Sequence, residues 1–330
     1  MKTEPSAPCC EAGTTRTSTP SGERTFRGRG SWVGAVRPAW WIVTFWWLLT
    51  ACPPLVAPGP EATGAGGTTG VSGTPAGTDA LPSTVRLLAW NINSGVSEPP
   101  EGVLERAVAR IRAAEPMDVY ALSEVNPAWE SGLVETFAGL GRYGTRLSES
   151  GRQQRLMLAW DEARYEALEV NELGRVNEDG YGRAPLAALL QERSSGARFL
   201  FVVVHLRSSN GEARRRESEV LRDLLVELDY PTIVAGDFNY RCPSDGTAPA
   251  GCDEAFAELV EGGHLRWVAP EEPAPSMCRS RYTTMLDLVF VSGPPLRRES
   301  VEFVDSAWCE GMGDGAHRAV RAEVGWSASE

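Results

Sequence analysis

No stretch of the 330 residues repeats with a period of 20 to 50, which excludes solenoids and propellers. The seven cysteines contain no Cys-x-x-Cys pair, and their spacing does not form a zinc site. Of the three histidines, His264 in Gly262-Gly263-His264 reads as an ordinary loop residue. Positive charge is scarce: the formal net charge is −12, and residues 1–51 carry six basic against three acidic side chains, leaving −15 for the remainder. A domain that acidic lacks the broad basic footprint of a tight duplex DNA binder, although a local basic cleft stays open. What is present, 42% hydrophobic and 23% charged residues, suits one large globular domain with appendages.

The appendages are at the amino end. Residues 1–38, rich in Ser, Thr, Gly, Pro and Arg and without apolar periodicity, are expected not to fold. The apolar run from Ala39 to Ala51, 13 residues after Arg37, is too short to span a bilayer comfortably but fits the core of a signal peptide. Its end, Leu49-Thr50-Ala51-Cys52, resembles the lipobox of bacterial lipoproteins, which implies cleavage before Cys52 and lipidation of that cysteine. Residues 39–52 are thus expected to be a signal core and anchor, on a leader long enough to suggest translation from near Val33 or Val36. Residues 53–82, dominated by Pro, Gly, Ala and Thr, read as a flexible tether, and 83–330 as the folded domain.

Within that domain the chemistry gathers around Pro231-Thr232-Ile233-Val234-Ala235-Gly236-Asp237-Phe238-Asn239-Tyr240. The apolar run predicts a strand buried on both faces, followed by a turn at Gly236. If the extended path continues, Asp237 and Asn239 leave one face while Phe238 anchors the other. An Asx turn closing the strand accounts for the same residues. Four further apolar strands carry polar groups on or just after them, namely Leu87 to Asn91, Val119 to Glu124, Phe201 to His205, and Met285 to Val291 with Asp287 inside. His317 precedes Arg318-Ala319-Val320. Ionisable groups at buried strands are costly unless paired or bound to metal.

In order, Trp-Asn-Ile, a strand-terminal Glu, His-Leu, Gly-Asp-Phe-Asn, Leu-Asp-x-Val-Phe-Val-Ser and His-x-x-Val span Val85 to about Val324. This series resembles the endonuclease/exonuclease/phosphatase superfamily of metal-dependent phosphoesterases, which includes pancreatic-type deoxyribonucleases. Gly-Asp-Phe-Asn is its most specific element. The resemblance implies an α+β fold, a four-layer αββα sandwich of two mixed β-sheets flanked by helices.

Residue patterning alone predicts strands at 85–92, 156–160, 165–170, 185–191 and 198–206. It predicts helices around Val103 to Ile111, from Trp129 to Leu140, and from Glu212 to Asp229 with Val220, Leu221, Leu224, Leu225 and Leu228 inward. The run Arg214-Arg215-Arg216 on the last helix reads as a solvated face. Cys242, Cys252, Cys278 and Cys309, an even set in an exported domain, suggest two disulfides out of three possible pairings. The expected pairs are Cys242–Cys252, around a short Gly/Pro-rich loop, and Cys278–Cys309, tying the segment before Asp287 to the segment before His317.

By the resemblance, Glu124 with Asn91 would hold Mg²⁺, or Mn²⁺, since a hard ion takes one or two carboxylates and keeps waters a phosphate can displace. Asp237 and His317 share candidacy for taking the attacking water's proton, with Asp287 orienting the imidazole. Asn239 would hold the water or a phosphate oxygen, and His205 would donate to another oxygen or the leaving group. Arg155 and Arg183 are candidates for phosphate contact or surface ion pairs. One departure stands out: the family usually has Asp immediately before the terminal His, where this chain has Ala316. Asp314, between Gly313 and Gly315, is the candidate substitute for a second metal position.

The expected activity is hydrolysis of a phosphoester, whether nucleic acid, phospholipid headgroup or small phosphodiester, by a nuclease-like phosphodiesterase. It would sit in the cell envelope, lipid-anchored on the periplasmic or outer face rather than in the cytoplasm, with no protein partner implied. A phospholipid or inositol phosphate phosphatase and a degenerate, non-catalytic binding module of the same fold are the alternatives.

Overall fold

The computed structural model describes residues 81–93, 101–177, 179–278, 282–312 and 315–327. The expected leader, signal core, Cys52 and the tether as far as residue 80 lie outside the described residues, as does Asp314. The elements in chain order are β1 (Val85–Asn91), α1 (Val103–Ala113), β2 (Val119–Val125), α2 (Glu130–Leu140), β3 (Tyr143–Leu147), β4 (Arg155–Asp161), β5 (Tyr165–Glu172), β6 (Leu186–Glu192), β7 (Arg198–His205) and α3 (Gly211–Leu228). They continue with β8 (Thr232–Pro243), α4 (Glu254–Val260), β9 (Arg266–Trp267), β10 (Thr284–Val291), β11 (Leu296–Phe303) and β12 (Val320–Trp326).

The strands form two six-stranded sheets, ordered β11-β12-β1-β2-β4-β3 and β5-β6-β7-β8-β10-β9. Alternation decides which face of each strand meets what. In β1, Leu87 and Ala89 point between the sheets, into a core with Ala121, Leu158, Phe199, Phe201, Val203, Ile233, Ala235 and Val289. Leu88 and Trp90 point the other way, where Val103, Ala107 and Ile111 of α1 and Leu133 and Phe137 of α2 cover them. Val202, Val204, Val234 and Phe290 are covered on the second sheet's outer face by Leu221 and Leu225 of α3 and Phe256 and Leu259 of α4. Central strands are therefore apolar on both faces, and the result is the expected αββα sandwich.

Helix ends follow local chemistry. Asn210 caps α3 by accepting from the Ala213 N–H, and Asp229 closes it in the left-handed region. The predicted inward set of α3 holds except at Leu228, the last residue of the helix, which is 39% exposed. In each sheet one parallel pair, β1 with β2 and β7 with β8, lies at the centre. The carboxyl ends of these strands meet at one end of the sandwich, where open α/β sheets place their ligand sites.

Candidate active site

Strand register brings the polar groups together. Asn91 is level with Ser123 in the β1–β2 pair, His205 with Asp237 in the β7–β8 pair, and Asp287 faces Asp237 across antiparallel β10 and β8. The sheets are joined here by Asn91, whose Nδ2 donates to Asp237 Oδ2 at 2.9 Å.

Two bulges aim the carboxylates. On β2, Leu122 pairs with Met157 and Val125 with Arg155, so one extra residue is accommodated, and Glu124 takes a φ of 56°. On β8, Asp237 pairs with Asp287 but Cys242 pairs with Met285, so β8 bulges, with φ of 56° at Asn239 and 50° at Arg241. The regular extended path through Phe238 thus ends at Asn239. Convergence comes from hydrogen bonds instead: the Asn239 N–H donates to Asp237 Oδ1 at 3.0 Å, and its Nδ2 donates to Leu206 O at 3.0 Å. The Asx turn and the polar site are the same structure, while Phe238 packs on Phe290 at 4.8 Å between ring centroids. Gly236 is required before it, since its φ is 139° and a Cβ would lie 2.3 Å from Val204 O.

His317 and Asp287 form a buried pair, Nδ1 to Oδ2 at 2.7 Å. The backbone around His317 is pinned on three sides. Met277 bridges to His317, the Cys278 N–H donates to Ala316 O at 3.0 Å, and the Trp90 indole donates to His317 O at 3.0 Å. Ser276 Oγ in turn accepts from the N–H groups of Leu286 at 2.7 Å and Asp287 at 2.9 Å, fixing Asp287. Burial opposes charge on His317, but Asp287 and then Asp237 outweigh it and push its pKa up to about 9. Burial, reinforced by the Asp287 charge, pushes Asp237 up to about 7, although His317 and Asn91 pull the other way. His205 is held well below the ordinary histidine range by burial, then by the positive charges of Arg183 and His317. Its Nε2 lies 3.5 Å from Asp237 Oδ2 and 3.8 Å from Glu124 Oε1. One imidazole is therefore neutral and the other cationic near neutral pH, a division suited to donating and to accepting protons in one cycle.

The donor set fits a hard divalent cation. Glu124, Asp237 and the Asn91 amide offer oxygens, ligand atoms of Asp237, Asp287 and His317 lie within 4.8 Å of one another, and buried Asp287 Oδ1 and His205 Nδ1 have no hydrogen-bond partner among the described residues.

Of the two arginine candidates, Arg183 stands near the site: its Nε donates to the carbonyl of Gln154, whose neighbour Arg155 is level with Val125 beside Glu124, and burial lowers its pKa against the charges of Glu124 and Asp237. Arg155 is instead committed to the turn after β3, donating to Ser148 O and Arg152 O at 3.1 Å each. Arg214 does not belong to a solvated face, contrary to expectation. It is only 4% exposed, because Asp253 and the carbonyls of Arg207 and Ser208 receive its guanidinium; Arg216 alone of the three is exposed, beside Glu219. Both expected disulfides, Cys242–Cys252 and Cys278–Cys309, are formed. Two residues that shape the site carry no mark in the sequence: Ser276, and Asn93, whose N–H donates to Asn91 Oδ1 at 3.0 Å. Asn93 directly follows the Trp-Asn-Ile motif and could have been found from it; Ser276 carries no local signal.

Two six-stranded sheets flanked by helices, with polar groups gathered at one end, define the αββα class of fold. The chain belongs to the Endonuclease/Exonuclease/phosphatase family, whose model matches residues 88–308. An endonuclease/exonuclease/phosphatase family protein from Bacteroides thetaiotaomicron superposes with a TM-score of 0.57 at 14% identity, covering 75% of this chain and 100% of that one. D. rerio TDP2 in complex with single strand DNA product gives 0.57 at 16% identity, over 74% and 99% of the two chains. The mannosyl-6-phosphatase Bt3783 of B. thetaiotaomicron gives 0.55 at 15% identity, over 73% and 99%. Sequence comparison with curated proteins finds no match.

Proposed function

We propose that this chain is an exported, lipid-anchored, divalent-metal-dependent phosphodiester hydrolase of nuclease type. The observation that carries the reading is the convergence of Asn91, Glu124, His205, Asp237, Asn239, Asp287 and His317 at the end of the sandwich where β1, β2 and β7 finish.

Glu124 and Asn91 would hold Mg²⁺ or Mn²⁺, and a bound ion of this kind polarises a phosphoryl oxygen and stabilises charge on the leaving group. The rest falls to the chain. Asp237, with its raised pKa and its Oδ1 fixed by the Asn239 N–H, accepts the proton of a water placed in line with the phosphorus. His317, kept cationic by Asp287, balances negative charge building on the phosphoryl oxygens. His205 donates a hydrogen bond to another oxygen, and Arg183 neutralises a non-bridging one. Nuclease type is favoured over phosphatase by an open cleft beside the site and by the likeness to TDP2 with its DNA product; the likeness to a mannosyl-6-phosphatase supports the alternative.

Export and anchoring rest on the sequence of residues 39–52, and the two disulfides suit an oxidising compartment. The non-catalytic reading draws on Ala316, which is buried among apolar side chains where the family's usual Asp would stand.

The deciding experiment is an assay of the purified chain with Mg²⁺ or Mn²⁺ on plasmid DNA, RNA, sphingomyelin and bis(p-nitrophenyl) phosphate. Metal-dependent turnover of the nucleic acids is expected. Absence of turnover on every substrate at any metal concentration would favour the binding module, and turnover of sphingomyelin alone would favour the lipid reading. Membrane fractionation and mass measurement of the mature amino terminus, with Cys52→Ser as control, test the anchor.

A further inference from the structure

Beside the site, a cleft of about 330 Å³ opens between the turn after β3 and the loop before β6, lined by Arg152, Gln153, Gln154, Tyr181, Gly182 and Arg183 among others. Its walls are laced together. Arg183 Nε donates to Gln154 O at 2.8 Å, and the Ala184 N–H donates to Ser150 Oγ at 3.0 Å. Asn177 holds Gly182 from both sides, accepting its N–H at 2.7 Å and donating to its carbonyl at 3.1 Å, while the Tyr181 N–H donates to Asp179 Oδ1 at 3.0 Å. The backbone that presents Tyr181 is therefore hydrogen-bonded on both sides of it. Its ring is not covered: Tyr181 is 81% exposed, far more than the other exposed large hydrophobics among the described residues. Its neighbours Gly180 and Gly182 carry no side chain to shield it, and a Cβ added at Gly180, where φ is 68°, would meet nothing within 4 Å.

A single exposed ring is common on protein surfaces; what marks Tyr181 is that it stands between two glycines on the rim of a cleft that also carries two arginines, a flat apolar face beside cations. The cleft lies at the same end of the sandwich as the reaction centre: the residue after its first wall, Arg155, is level with Val125 beside Glu124, and Gly182 of its second wall lies against Arg207, two residues past His205. Arg152 is exposed on the same rim, with no hydrogen bond or ion pair from its side chain among the described residues. From these placements we infer that Tyr181 is a stacking platform for an unpaired nucleobase near the scissile phosphate, with Arg152 facing a flanking phosphate and Arg183 the scissile one, so that the substrate is single-stranded nucleic acid. This rests on the phosphodiesterase reading above and narrows it.

The chemistry separates the candidates. An acyl chain would meet Gln153, Gln154 and two arginines, which gain nothing from it. A paired duplex keeps its base faces stacked, and the domain's acidity denies duplex DNA the broad basic surface it needs. An unpaired base offers a π-face to Tyr181 while Arg152 and Arg183 stand at its phosphates, the combination of stacking with local cations that holds single strands without sequence preference.

The test uses the full-length chain in detergent with Mn²⁺, comparing Tyr181→Ala, Tyr181→Leu and Tyr181→Phe. Substrates are a thymidine 12-mer, thymidine monophosphate and methyl p-nitrophenyl phosphate, and a fluorescein-labelled 12-mer is titrated in EDTA to read binding without turnover. Base stacking predicts that Tyr181→Ala and Tyr181→Leu lose roughly tenfold in 12-mer affinity and kcat/KM, with the loss far smaller on the base-free diester. Tyr181→Phe should keep most of both. Equal losses on all substrates, a leucine as good as phenylalanine, or no 12-mer binding by the native chain would overturn the inference. The two readings fail separately. A chain that hydrolyses only sphingomyelin or monophosphates sinks the stacking platform and leaves a hydrolase; Tyr181-dependent binding of the 12-mer without turnover of anything sinks the hydrolase and leaves the platform.

Discussion

His317 and Asp287 are separated by 30 residues in the chain and by 2.7 Å in space, Nδ1 to Oδ2. The pair is built from two sides. Asp287 is placed by the β8–β10 register and by Ser276 Oγ on its N–H, and His317 by a bridge to Met277 and by the Trp90 indole on its carbonyl. Ser276 to Cys278 is thus one short segment that positions both members. Such double bracing is what a site needs if an imidazole is to keep one orientation through a reaction.

The brace predicts a role for Cys278–Cys309. The disulfide fastens the end of that segment, whose Cys278 N–H and Ser276 O hydrogen-bond on either side of His317. Replacing both cysteines by serine should cost roughly 2 to 4 kcal/mol of stability and lower kcat more than it raises KM. Denaturant unfolding and steady-state kinetics of the double variant check both parts. A variant that is less stable but fully active would mean that the hydrogen bonds alone hold His317.

How much of this was open to reading in the sequence depended on burial. β1, β2, β7, β8 and β10 are covered on both faces, so they stand out as continuous apolar runs with a polar residue at or near one end. β3 and β11 are edge strands, β3 mostly half-buried and β11 with exposed positions such as Arg297, Arg298 and Glu299, and β9 is two residues long, so none carries a periodic signal. Within the site, the charged and amide groups were legible because they interrupt apolar strands. The bulges at Glu124 and Asn239 were not, because a bulge is a relation between two strands and only register reveals it. Arg214 failed for a similar reason. Its place in an arginine run suggests solvent, while its burial is set by Asp253, 39 residues away.

The buried Arg214 carries a prediction of its own. Its Nη2 donates to Asp253 Oδ2 at 2.7 Å and its Nη1 to Arg207 O at 2.7 Å, while Asp253 also caps α4. Arg214→Ala leaves an acceptor carboxylate and a carbonyl short of partners, and should destabilise the domain by about 2 to 4 kcal/mol. Arg216→Ala, at an exposed position, should stay within about 0.5 kcal/mol. Chemical denaturation of the two variants decides between a structural arginine and a solvated one; equal stabilities would restore the solvated reading.

Acid stability should depend on Glu192 at the opposite end of the sandwich. Burial raises its pKa, but hydrogen bonds from Ser195 and Ser83 and the charge of Arg164 together outweigh that and hold it below the ordinary value of 4.5. A carboxylate depressed on folding stabilises the native state above its unfolded pKa, and that contribution fades as pH falls through the folded value. The loss should therefore fall below about pH 4.5, and Glu192→Gln should flatten the acid limb of a melting-temperature profile there while lowering stability at pH 7. Parallel profiles for native and variant protein across that window would refute the assignment.

The last prediction separates the jobs proposed at the site. With Glu124 holding the metal, Glu124→Gln should raise the Mg²⁺ or Mn²⁺ concentration needed for half-maximal activity. Asp237→Asn and His317→Ala should lower turnover by about 10² to 10⁴-fold with a smaller change in metal requirement. Removing His317 leaves Asp287 buried at 1% exposure without its partner, so circular dichroism and a melting curve must accompany each rate. Ala316→Asp tests the departure from the family pattern. Ala316 packs with Trp90, Ile92 and Met312, so a carboxylate there should destabilise the metal-free chain. If added metal restores that stability and raises kcat, the native chain runs without a ligand that its relatives use. If stability falls and neither metal nor rate responds, position 316 does not face an ion and the native donor set already suffices. Folded Asp237→Asn and His317→Ala enzymes with native rates on every substrate would remove these residues from the chemistry.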